Sequence, residues 1–280
     1  MDFITALILG AIQGITEFLP ISSSGHLVLA QHYLGVEKQG MAFEVFTHLG
    51  TLVAIFIAFR KEVMELIYNI PKLPFFILGK INKTSNDYKN SSFNCCILIS
   101  MIPAGIVGFT LKHKVDELYN NEYKVFVVYT ALLITGLILL SLVKLNKRVE
   151  QNKELTYKNS FLIGLAQAFA ITPGISRSGS TIVAGQWLGL SREMAAKFSF
   201  IMSMPVIFGA SLKEAKDLME VGIQKNELMA ISFATIAAIV TGYFCIKFLM
   251  KIIKAQKLQV FAYYCFSLSI IGLIYEILVK

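Results

Sequence analysis

Glu17 stands four residues after Gln13, so on a helix the two share one face, and Ser22, Ser23, Ser24, Gly25 and His26 follow directly. A carboxylate, a run of hydroxyls and an imidazole so close together are the parts needed to activate a nucleophile. A second cluster lies far along the chain, where Arg177 is flanked by Ser176, Ser178, Gly179, Ser180 and Thr181 on a turn opened by Pro173 and Gly174. A guanidinium fork, glycines that let backbone N–H groups approach, and the positive end of a following helix together suit phosphate oxygens. Side by side, the two clusters form the inventory of phosphoryl transfer. Plainer readings exist: the serines cap the helices that follow them, and Arg177 neutralises Glu17. A weaker pair, Glu44 and His48, is also spaced by four. It either lines the same site or faces its mouth; two ligands at that spacing could hold a metal, but no third lies nearby in sequence.

The elements that must position these residues are membrane helices. Of 280 residues 55% are hydrophobic and only 16% charged, with mean hydropathy +0.64, which excludes an ordinary soluble domain. The net charge of +8 reads as the basic excess of cytoplasmic loops, and no nucleic-acid partner is expected. Six apolar stretches reach spanning length, at about 41–59, 93–111, 124–143, 194–211, 228–250 and 258–278. In lipid their backbones must be helical. Lys and Arg number six in 60–89, five in 144–158 and four in 247–257, which assigns those stretches to the cytoplasm. The stretches 112–124 and 213–227 hold three each and are assigned outside, as are both termini. Residues 1–36 and 159–191 must then each begin and end on one side, so they are expected to be re-entrant hairpins, broken at LPISSSGH and TPGISRSGST.

An internal repeat supports that arrangement. Residues 10–35 align without gaps on 164–189 at an offset of 154, with nine of 26 positions identical, among them Gly10/Gly164, Gln13/Gln167, Ser22/Ser176, Ser24/Ser178 and Gly35/Gly189. Chance likeness between apolar helices would favour Leu, Ile and Ala, not Ser and Gly. The expected fold is therefore an all-α integral membrane protein. It has about six transmembrane helices and two re-entrant helix-loop-helix hairpins, in an inverted-topology repeat over a single polytopic domain, 1–280. Repeat one covers about 1–145 and repeat two about 159–280. Cys95, Cys96, Cys245 and Cys265 all sit in apolar runs and read as buried free thiols. The first ten residues carry Asp2 and no Lys or Arg, unlike the front of a cleavable signal peptide, and are expected to belong to the fold.

QGITEFLPISSSGH at 13–26 and PGISRSGST at 173–181 closely resemble the two signature blocks of undecaprenyl-diphosphate phosphatases of the bacitracin-resistance type, and FEVFTHLGT at 43–51 resembles a third recurrent stretch. The resemblance implies hydrolysis of undecaprenyl diphosphate in a bacterial plasma membrane, at a site toward the outer face. On matching positions it implies Ser23 as nucleophile, Glu17 and His26 in proton transfer, and Arg177 on the diphosphate. Gln13, Ser22, Ser24, Ser176, Ser178 and Thr181 are implied as substrate-binding. It further implies a divalent cation, Mg²⁺ or Ca²⁺, with Glu17 as its ligand, and a homodimer. The family's first carboxylate position admits Glu or Gln; here it is Gln13, which cannot ionise. A second reading, a membrane transporter or lipid-carrier flippase, draws on the same inverted-repeat cavity.

Overall fold

The structure is a computed structural model that describes residues 3–36, 41–111, 117, 123–145, 153–221 and 225–279. Stretches 112–116, 118–122 and 146–152, which carry part of the charge used above to orient the chain, lie outside the described residues. Among those residues every regular element is a helix. The apolar amino-terminal segment forms α1, Phe3–Phe18, and the chain breaks at Pro20 before resuming as α2, Ser23–Leu34. Next come α3, Met41–Ala58, and α4, Arg60–Asn69, followed by a single 3₁₀ turn and the short α5, Leu73–Ile77. The first half ends with α6, Asn86–Thr110, and α7, Lys124–Leu145. The chain continues with α8, Tyr157–Phe169, α9, Arg177–Trp187, α10, Arg192–Val221, α11, Lys225–Lys254, and α12, Gln259–Val279.

Five of these helices are long and apolar enough to cross a membrane, α6, α7, α10, α11 and α12, and α3 with α4 makes a sixth candidate. The six expected spans all fall on them. The α3–α4 pair bends by 94° at Phe59, where the sequence turns from apolar to Arg60-Lys61.

The two halves are tied by reciprocal contacts: α1 packs along α11, and its repeat mate α8 packs along α6. Membrane helices gain little from hydrophobicity against lipid, so close backbone approach at small residues holds them together. The repeat pair Gly10/Gly164 supplies that approach. A Cβ on Gly10 would lie 2.2 Å from the Ala234 carbonyl oxygen of α11, and one on Gly164 would lie 2.3 Å from that of Ser100 in α6. Gly35 and Gly189 are matched for a different reason. Both take left-handed φ, 63° and 93°, as the chain leaves a hairpin, which a side chain would strain. All four cysteines are free; Cys96 and Cys265 are buried, Cys95 and Cys245 half-buried.

Either Gly10→Val or Gly164→Val forces a large group against backbone, and overpacking of this kind costs about 1–3 kcal/mol. Each variant is expected to lower the thermal midpoint of the detergent-purified protein. An unchanged midpoint for both would contradict the packing described.

Candidate active site

The two chain breaks are built alike. Ser22 and Ser176 cap α2 and α9, their hydroxyls accepting from the N–H of Gly25 at 3.3 Å and of Gly179 at 3.1 Å. Each cap hydroxyl also meets that of the second serine on, Ser22 with Ser24 at 3.3 Å and Ser176 with Ser178 at 3.2 Å. Ser22 adopts φ of 70°, a left-handed conformation that a non-glycine residue keeps only when its surroundings impose it. The second break turns instead at Gly174, φ 86°, because α7 leaves no room there: a Cβ would lie 2.7 Å from that of Ala131.

The loops interlock. The Ser178 hydroxyl donates to the Leu19 carbonyl at 3.2 Å, and the Gly174 N–H donates to the Ser24 hydroxyl at 3.5 Å. From α7, Thr135 accepts from the Ser176 N–H at 3.1 Å and so fixes the second loop. Thr181 is fully buried and donates to the Arg177 carbonyl at 2.8 Å, with its hydroxyl 2.6 Å from that of Ser199. Of the hydroxyls expected around a phosphate, Ser176, Ser178 and Thr181 thus hold the scaffold, each with partners inside the protein.

Their effect is to set Glu17 against Arg177 across 160 residues of chain, with Arg177 Nη2 donating to Glu17 Oε1 at 2.6 Å. On the other carboxylate oxygen, Oε2, the Ser23 hydroxyl donates at 2.7 Å and Gln13 Nε2 at 3.1 Å. Ser23 and Arg177 are repeat mates, each the first residue of its helix, so the two breaks deliver an alcohol and a guanidinium to opposite oxygens of one acid. Glu17 is 8% exposed and Gln13 0%. Within the described residues two buried polar atoms here have no partner, Arg177 Nη1 and Gln13 Oε1.

A cavity of about 260 Å³ opens beside this centre, lined by Gln13, Ser23, Ser24, Gln31, Glu44 and His48 among others. The Glu44–His48 pair therefore lines the site. His48 Nδ1 lies 3.2 Å from Gln13 Nε2. His26, which the resemblance puts in the proton path, is engaged elsewhere. Its Nδ1 is 2.8 Å from the Ser22 carbonyl and its Nε2 2.7 Å from the Tyr264 hydroxyl, in a separate apolar groove lined from α1, α2, α7 and α12. His48, expected only as one of a weaker pair, is the imidazole that the fold brings against Gln13. The available signal was its depth within an apolar span, where an ionisable group defaults to function. Among the described residues no three His, Cys, Asp or Glu side chains converge as a metal cage.

The fold and this centre define an all-α integral membrane protein that encloses an acid, an alcohol and a guanidinium between its helices. Residues 6–271 match the family described as bacitracin resistance protein BacA, and the chain belongs to that family. Its curated relatives include an undecaprenyl-diphosphatase of Halothermothrix orenii, 40% identical over 274 residues and 98% of both chains. Another, from Methanosphaera stadtmanae, is 39% identical over 286 residues and 99% of both, and one from Alkaliphilus metalliredigens is 36% identical over 283 residues, 99% of this chain and all of the relative.

Proposed function

We propose that the protein is an undecaprenyl-diphosphate phosphatase: it hydrolyses undecaprenyl diphosphate to undecaprenyl phosphate and inorganic phosphate. That reaction recycles the lipid carrier of cell-wall synthesis and so confers bacitracin resistance. The observation that carries the reading is the Glu17 carboxylate gripped by Ser23 on one oxygen and Arg177 on the other, in a chain whose full-length relatives carry that enzyme's name. A substrate with a C55 tail stays in lipid, so its phosphatase must keep the site among membrane helices. Transport is not favoured, since nothing about a transporter requires an alcohol hydrogen-bonded to a buried acid.

In this mechanism Glu17 Oε2 takes the proton of Ser23 as Oγ attacks the terminal phosphorus. The bond from that phosphorus to the bridging oxygen breaks, and the bridging oxygen leaves with undecaprenyl phosphate. Water then attacks the phosphoserine, releasing inorganic phosphate and restoring the alcohol. Arg177 exchanges its grip on Glu17 for the diphosphate, and its unpartnered Nη1 gives the fork a second donor for charge developing on the phosphoryl oxygens.

Both oxygens of Glu17 already accept protein hydrogen bonds, while the buried Gln13 Oε1 accepts none. That donor set fits a Mg²⁺ or Ca²⁺ held jointly by Glu17, Gln13 and the diphosphate, and not one caged by protein alone. Such a cation would neutralise charge on the phosphate oxygens. The loop charges support a cavity that opens toward the outer face, with the two hairpins entering from opposite sides and both termini outside. A homodimer completes the reading.

Phosphate release from undecaprenyl diphosphate by detergent-purified protein tests it. Release is expected with Mg²⁺ or Ca²⁺, to fall at least about tenfold with EDTA and to return when the cation is restored. No release under any cation condition would overturn the assignment.

A further inference from the structure

Gln13 makes two contacts through a single nitrogen. Its Nε2 lies 3.1 Å from Glu17 Oε2 and 3.2 Å from His48 Nδ1. A primary amide nitrogen carries two hydrogens and accepts nothing. The carboxylate oxygen can only accept, so the nitrogen end of the amide must face it; turning the amide would set oxygen against oxygen beside a buried acid. With one hydrogen on Glu17, the other points at His48, and Nδ1 must therefore be the bare, accepting nitrogen of the ring. A neutral imidazole carries its proton on the other nitrogen. His48 is then the Nε2–H tautomer, and the ring lines the cavity into which Ser23 also projects.

We infer that His48 is a substrate-contacting donor, its Nε2–H bonding a phosphoryl oxygen of the lipid diphosphate, and that Gln13 is the positioning residue that fixes this tautomer. The inference rests on the phosphatase reading above. It gives Gln13 a job of its own, since its amide has a hydrogen to donate to Nδ1. A carboxylate there would instead accept from Nδ1–H. His48 undergoes no proton transfer in this role. It adds a neutral donor, opposite Arg177, on the same acid-centred network.

Three substitutions separate this role from acid–base chemistry and from packing. His48→Leu removes the donor and is expected to lower kcat at least about tenfold, in the range seen when a single oriented donor is lost. His48→Gln can accept from Gln13 through its oxygen and donate through its nitrogen, so it is expected to recover most of that loss; no proton-transfer role would be rescued by an amide. The second readout needs no turnover. In protein labelled with ¹⁵N at the histidine rings, His48 is expected to show Nδ1 bare and Nε2 protonated, and Gln13→Glu is expected to place a proton on Nδ1. Equal loss of activity in His48→Gln and His48→Leu, near-normal kcat in a folded His48→Leu, or a wild-type spectrum with Nδ1 protonated would each overturn the inference. Wild-type phosphate release stands apart from all three, so a failure here and a failure of the phosphatase reading are distinguishable.

Discussion

Arg177→Ala is expected to lower kcat/KM for undecaprenyl diphosphate by about 10³-fold or more, because it removes the guanidinium that the second hairpin delivers to the centre. The side chain has two jobs in sequence. With no substrate present it balances the buried Glu17 carboxylate at 2.6 Å, and with substrate present it turns the fork on the diphosphate. Removing one partner of such a pair leaves an uncompensated charge, typically at a cost of about 3–5 kcal/mol, so Arg177→Ala is also expected to lower the thermal midpoint. Arg177→Lys separates the two effects. It keeps the charge beside Glu17, and with it much of the stability, but offers one ammonium in place of two parallel N–H donors. Its turnover is expected to stay below about a tenth of wild type. Near-normal turnover by Arg177→Lys would mean that the diphosphate is held without the fork.

Ser23→Ala is the second large effect, and it bears on the chemistry alone. The substitution deletes a hydroxyl at the cavity wall, and the Glu17–Arg177 pair and Gln13 remain in place. Phosphate release is expected to fall by about 10³-fold or more, with KM for the lipid diphosphate little changed. The thermal midpoint is expected to hold. A protein whose purpose was to move the lipid would lose nothing essential with this hydroxyl. Retained release in Ser23→Ala would remove Ser23 from its role without removing the enzyme, and would point to direct attack by water.

The spanning helices were legible because lipid admits only one backbone solution for a long apolar run, and the six stretches counted on hydropathy fall on described helices. The hairpin breaks were legible for the opposite reason: Pro20 and the Pro173-Gly174 pair stand in clusters of Ser and Gly that disfavour a continuous helix. The repeat also foretold which glycines are structural, although not why. Gly10 and Gly164 seat a neighbouring backbone, a partner that spacing alone does not name. Which imidazole meets Gln13 was not legible. His26 follows Ser23 by three residues, and its ring meets the Ser22 carbonyl and the Tyr264 hydroxyl. His48 reaches the site only because α1 and α3 pack side by side, a contact with no trace in local sequence. Hydroxyl counting did not show that these groups also serve the fold. Ser176, Ser178 and Thr181 look like phosphate ligands on paper, yet a broken helix inside a membrane needs just such groups to satisfy its own backbone.

Rapid quenching of the purified protein during turnover of undecaprenyl diphosphate, ³²P-labelled on its terminal phosphate, tests most directly whether the two hairpins assemble a nucleophile with its acid and its anion clamp. The label is expected on a peptide containing Ser23 within the first turnover, to be absent from Ser23→Ala, and to be sharply reduced in Arg177→Ala. Release of labelled phosphate at the wild-type rate from Ser23→Ala, with no label on protein at any time, would contradict it.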